Sequence, residues 1–149
     1  MAQIVRAKVV MAKLLTEEQE VSFQRDGYVF PLRIMSEKDA GKYYKSFLSV
    51  EDECGGTLAG PVRYKPHLLI TWLNELVRHP LILDAVEDLI GPNILCWASS
   101  FFNKDMRDPS YVSWHQDSTY WGLSEPKVVS AWVALTPSLK GNGCMQVIP

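Results

Sequence analysis

Cysteine is scarce: Cys54, Cys96 and Cys144 are the three among 149 residues, odd in number, widely spaced and without a C-x-x-C pair. That argues against a disulfide framework and a cysteine zinc site, and fits a reducing cytosol. An excess of one charge is missing too. Fifteen basic against 17 acidic side chains leave a net charge of -2, with no Lys/Arg stripe to neutralise a run of phosphates, so nucleic acid is a poor partner. No run of about 18 apolar residues occurs, which excludes a membrane-spanning helix on length. Histidine is confined to positions 67, 79 and 115, and no arginine follows Arg107. Internal repeats and low-complexity tracts are absent.

What is there has the composition of a folded domain: 47% hydrophobic and 21% charged residues in a chain long enough for one core. Residues 1–14 carry Arg6, Lys8 and Lys13 and no acid, yet lack a continuous apolar stretch. They read as an N-terminal tail rather than a targeting segment, with one domain from Leu15 to Pro149.

Thr16 followed by acids and Phe23 predicts a capped helix that stops at Asp26-Gly27. Tyr28 to Leu32 then reads as a strand. Ser36 and Asp39 open a second helix, with Tyr43, Tyr44, Phe47 and Leu48 at helical spacing. A glycine-rich loop from Val50 to Tyr64 precedes helical patterns over Leu68–Arg78 and Leu81–Ile90, the latter closed by Gly91-Pro92. Beyond this the texture changes. Ile94–Asn103, Val112–Gln116, Val128–Leu135 and Met145–Ile148 are short, β-branched and aromatic, with turn formers between them. Helices first and strands second predict an α+β fold. A sheet that starts this late and stops at Pro149 would leave an open edge and an uncovered apolar face, so the sequence is read as continuing into further strands.

The candidate chemistry centres on His115 and Asp117. Two apart in a segment of strand character, they project from one face, while Gln116 points away. An imidazole nitrogen and a carboxylate oxygen so placed are two members of the facial triad that holds non-haem iron(II). Three histidines and 17 acids yield such a spacing by chance often enough that the pair needs its context. The alternative is a His115 that hydrogen-bonds to Asp117 or stacks among Trp114, Tyr120 and Trp121. His67 opens a helix and His79 precedes Pro80 at a helix junction, where wall or capping roles suit them better than metal ligation.

The segments FFNKD, WHQDSTYWGL, VVSAWVAL and GNGCMQVIP resemble, in that order, the phytanoyl-CoA dioxygenase family, as does the opening LTEEQEVSFQRDGYVF more loosely. The resemblance covers Leu15 to Pro149 and implies the first strands of a double-stranded β-helix, a cupin-like jelly roll incomplete in this chain. It implies an iron(II)- and 2-oxoglutarate-dependent dioxygenase that uses O2 to hydroxylate a small organic substrate, with His115 and Asp117 as iron ligands. The family's second histidine and its 2-oxoglutarate-binding arginine have no counterpart in these residues.

By the same resemblance Asn103 and Lys104 border the 2-oxoglutarate dicarboxylate, though an Asn-Lys pair at a strand end also reads as a solvated turn. Trp132 lines the pocket or fills a core; Trp114, Tyr120 and Trp121 contact substrate and exclude water, or simply pack. A carboxylate at Asp117, where halogenating relatives have a small residue, implies hydroxylation. Two other readings stay open: a non-catalytic cupin-like binding module or inactive fragment, and an enzyme using the pair with manganese or zinc. Neither substrate identity nor oligomeric state is written in the composition.

Overall fold

The computed structural model describes residues 12–104, 108–125 and 127–149, and Tyr120 by its backbone alone. Most of the tail, 1–11, lies outside the described residues.

The helices follow from their caps. Thr16 Oγ1 accepts from Gln19 N at 3.2 Å while Thr16 N donates to Gln19 Oε1 at 2.9 Å. This reciprocal box satisfies two orphan donors and starts α1, Glu17–Asp26. Gly27 ends it at φ 79°, a left-handed position where glycine carries no Cβ penalty, and its N–H donates to Phe23 O at 2.8 Å. Ser36 caps α2, Glu37–Glu53, whose Phe47 turns inward. A 3-10 turn at Pro66–Leu68 leads into α3, Thr71–Val77, and α4, Pro80–Ile90, opens on Pro80 at its first position.

These helices build the core. Leu15, Phe47, Leu73, Leu76 and Ala85 are its buried apolar residues, joined by Pro66 and His67. Among the described residues none beyond Ala85 is fully buried. Burying side chains such as Phe47 or Leu73 contributes about 1.5–3 kcal/mol each. Asp88 on α4 clasps the chain ahead of α1: its carboxylate accepts from the backbone N–H groups of Lys13, Leu14 and Leu15 at 2.8, 2.9 and 2.9 Å. Lys13 Nζ adds a 2.7 Å pair with Glu87.

The strand expectation fails. Among the described residues there is no β-strand, so the double-stranded β-helix, jelly-roll or cupin-like architecture and the α+β class are corrected to helices followed by irregular extended chain. β-branched and aromatic residues favour an extended backbone, but a strand also needs a neighbour in register to take its N–H and C=O groups. No such ladder forms among the described residues, and Leu95, Tyr111, Val112, Trp114 and Ile148, all more than 60% exposed, lie on an unpaired surface. Within Tyr28–Leu32, Pro31 moreover has no N–H to give a ladder.

The alternation itself is nonetheless present over 97–103. Trp97 lies under Lys65 Nζ at 4.5 Å. Ser99 O accepts from Lys65 N at 3.0 Å, and Ser99 Oγ lies 2.6 Å from His67 Nδ1. Phe101 packs on Phe47 and Trp72 with ring centroids 5.0 and 5.9 Å away, and Asn103 Nδ2 donates to Glu51 Oε1 at 2.9 Å. Odd-numbered residues therefore face the helices, while Phe102 turns the other way onto Trp132 at 5.1 Å. Side chains keep the period of a strand with a helical layer, rather than another strand, as partner.

Candidate functional site

His115 and Asp117 do meet. Gln116 between them is extended (φ -119°, ψ 122°), which puts its neighbours on one side, and the chain then turns into a 3-10 helix over Asp117–Tyr120. His115 Nε2 lies 3.1 Å from Asp117 Oδ1, with the two side chains 37% and 41% exposed. The convergence survives without a sheet, because alternation needs only one extended residue between the pair.

The far side of the imidazole fixes its protons. His115 Nδ1 lies 2.7 Å from the Ser113 carbonyl oxygen, which only accepts, so Nδ1 carries hydrogen and donates. A neutral ring then turns the Nε2 lone pair toward a carboxylate oxygen, two acceptors face to face. The arrangement is stable when a cation sits there: a proton on Nε2, or a metal ion shared with Oδ1. The Ser113 carbonyl accordingly raises the imidazole pKa above its ordinary 6.5; desolvation opposes it, and the charge and hydrogen bond of Asp117 add to the rise. Donation of the second ring N–H to a backbone carbonyl is also how metal-binding histidines are oriented.

The donor set fits part of an iron centre. Two cis ligands each about 2.1 Å from a first-row divalent ion stand about 3.0 Å apart, close to the spacing of Nε2 and Oδ1. Among the described residues no group of three or more His, Cys, Asp or Glu side chains is placed to hold a metal, so the pair could supply at most two of a metal's protein ligands there.

The other predicted residues fall into two groups. Trp132 is tied to the pair through Ser130, two residues before it, whose Oγ donates to Asp117 Oδ2 at 2.5 Å, and it packs on Phe102; Asn103, next along, faces the other way and gives its amide to Glu51. Lys104 runs past Gly143, close enough that a Cβ on that glycine would stand 3.6 Å from Lys104 Cδ. Trp114 is 64% exposed and Trp121 half-buried, each near the pair in sequence, while the Tyr120 side chain lies outside the described residues. His67 and His79 belong to the helical layer. His67 is buried against Ser99, and burial, with Lys65 and Arg78 nearby, lowers its pKa. His79 precedes α4, its Nδ1 buried and without a hydrogen-bond partner among the described residues.

Sequence reasoning missed Ser113 and Ser130. The first acts through a backbone carbonyl, which no residue type announces. The second shared a predicted strand face with Trp132, but its approach to Asp117 depends on how the chain returns.

The sequence pattern of the family Phytanoyl-CoA dioxygenase (PhyH) matches residues 23–149. An ectoine dioxygenase of Nocardia farcinica (strain IFM 10152) is 24% identical over 148 residues, 89% of this chain and 49% of that protein. An L-proline trans-4-hydroxylase of Streptomyces griseoviridis is 24% identical over 151 residues, 94% of this chain and 56% of that one. A probable phytanoyl-CoA dioxygenase of Caenorhabditis elegans is 30% identical over 84 residues, 52% and 27% of the respective chains. The chain spans about half the length of the curated relatives it matches. No solved structure matches it. The family pattern takes in the His115–Asp117 pair and every residue from Phe23 onward, and this chain belongs to the phytanoyl-CoA dioxygenase family.

Proposed function

We propose that the protein is an iron(II)- and 2-oxoglutarate-dependent dioxygenase that hydroxylates an unactivated C–H bond of a small organic molecule. Family membership supports the class, since phytanoyl-CoA dioxygenase-type enzymes in general use iron(II) and 2-oxoglutarate. The observation that carries the reading to these residues is the geometry at His115: Nδ1 lies 2.7 Å from the Ser113 carbonyl oxygen, and Nε2 faces Asp117 Oδ1 at 3.1 Å.

In this reading His115 and Asp117 hold the iron, which when bound supplies the activation of O2 coupled to decarboxylation of 2-oxoglutarate. His115 presents a neutral imidazole at Nε2, and the Ser113 carbonyl keeps that tautomer. Asp117 would neutralise one of the two metal charges, and its carboxylate would take the place that a small residue leaves to a halide. Lys104 would offer an ammonium to a dicarboxylate, and Asn103 an amide once it is released from Glu51. Trp132, packed at a tilt on Phe102, holds the segment from which Ser130 reaches Asp117. Trp114 and Trp121 would give flat apolar surface for excluding water and contacting substrate, a role the family resemblance also implies for Tyr120. The names ectoine dioxygenase and L-proline trans-4-hydroxylase support a small organic substrate. Three free thiols suit a reducing cytosol, and no helix among the described residues is long and apolar enough to cross a membrane.

The test is iron-dependent release of succinate and CO2 from 2-oxoglutarate by the protein, with His115→Ala and Asp117→Ala alongside. Loss of turnover and of iron binding in both variants is the expected result. Iron binding unchanged by either substitution refutes the assignment.

A further inference from the structure

We infer that Ser130 is a positioning residue that engages one oxygen of Asp117, sets the plane of its carboxylate with the other oxygen beside His115, and so holds the carboxylate to one-oxygen coordination of the metal. The inference rests on the metal-binding reading above and adds to it a residue that acts through Asp117.

The two oxygens of Asp117 are used differently. Oδ2 accepts the Ser130 hydroxyl at 2.5 Å, in the range of short charge-assisted O–H···O bonds, while Oδ1 faces His115 Nε2 at 3.1 Å. The terminal torsion of an aspartate joins sp³ to sp² carbon and has a broad, nearly two-fold profile, so nothing within the residue selects this orientation. At 41% side-chain exposure, Asp117 is not wedged in place by packing either. The orientation has to come from an outside bond, and the Ser130 hydroxyl is placed to give it.

Ser130 can do this because it is anchored independently of Asp117. It lies 13 residues further on, two before Trp132, whose ring packs on Phe102 at 5.1 Å. Phe102 in turn sits between Phe101, held by Phe47 and Trp72, and Asn103, held by Glu51. The helical layer therefore fixes the segment from which Ser130 reaches. A carboxylate with Oδ2 engaged by a hydroxyl offers one oxygen to a metal; released, it can chelate through both and fill a position a co-substrate needs.

The experiment uses Co(II) as a redox-stable probe of the 149-residue chain, with affinity read from its visible absorption and coordination mode from the infrared carboxylate stretches. Ser130→Ala is expected to weaken Co(II) binding about 10–100-fold and to narrow the splitting between the antisymmetric and symmetric stretches, the mark of two-oxygen binding. Ser130→Thr, which keeps the hydroxyl, should restore both; Ser130→Val, of the same shape without it, should behave as alanine does. The Thr/Val comparison carries the test if the alanine chain folds poorly. Equal affinity and equal splitting in Thr and Val variants overturn the inference while leaving the metal site standing. A wild-type chain that binds Co(II) no better than His115→Ala overturns the metal reading and the inference together.

Discussion

Replacing Asp88 tests how the chain ahead of α1 is fastened to α4. The carboxylate accepts three backbone N–H groups, from Lys13, Leu14 and Leu15, at 2.8–2.9 Å, and Leu15 is itself only 4% exposed. Hydrogen bonds to a charged group contribute about 1.5–3 kcal/mol each. Three sharing one half-buried carboxylate do not add, because the released N–H groups of Lys13 and Leu14 regain water. Asp88→Ala is therefore expected to lose about 2–4 kcal/mol, which for a chain of this length lowers Tm by about 5–15 °C. Asp88→Asn keeps one acceptor oxygen and should lose about half as much. Burial works to raise the Asp88 pKa, but the bonds from Leu15, Lys13 and Leu14, with the Lys13 charge, outweigh it and hold it below the ordinary 3.8. A carboxylate with a depressed folded pKa stabilises above its unfolded value and loses that contribution as pH falls through the folded one. Thermal melts followed by circular dichroism should thus separate wild type from Asp88→Ala at pH 7 and bring them together in strong acid. A variant that melts within about 1 °C of wild type at pH 7 would refute the reasoning.

The imidazoles should titrate on opposite sides of 6.5 in NMR: His115 above it, because of Ser113 and Asp117, and His67 below it, because of burial. Protons then compete with metal at His115, and Co(II) affinity should drop as pH falls through its raised pKa; His67, kept neutral when folded, should cost stability as pH drops through 6.5. Phe47→Ala removes the ring against which Phe101 packs and should destabilise by about 3–5 kcal/mol in a denaturant titration, with Phe47→Leu losing much less. In turnover mixtures containing chloride, mass spectrometry should find hydroxylated product and no chlorinated one, since in the proposed site the Asp117 carboxylate would take the position a halide needs.

The helices were legible because their signals are local. Thr16 with Gln19, Ser36 with Asp39, Gly27 and Pro80 each act within one turn of the boundary they set. The pairing of His115 with Asp117 was legible for the same reason, needing one extended residue between them. The extended half was not. Alternation states which side chains share a face, and over 97–103 it did so correctly, but it does not state what that face meets. Here it meets α2, the Pro66–Leu68 turn and α3 instead of a neighbouring strand. Contacts such as Asn103 with Glu51, 52 residues apart, or Ser130 with Asp117, depend on tertiary return and leave no local trace.

The segment from Trp97 to Asn103 has a further consequence for what changes it tolerates. Its fastenings sit on every second residue, so adding or deleting one residue there would rotate all later side chains to the opposite side: Phe101 would leave its aromatic neighbours and Phe102 would be driven toward the helices. Spacing in this stretch is thus more constrained than identity. A conservative exchange at one anchor weakens one grip, whereas a single-codon insertion would misplace Asn103 and Lys104 together.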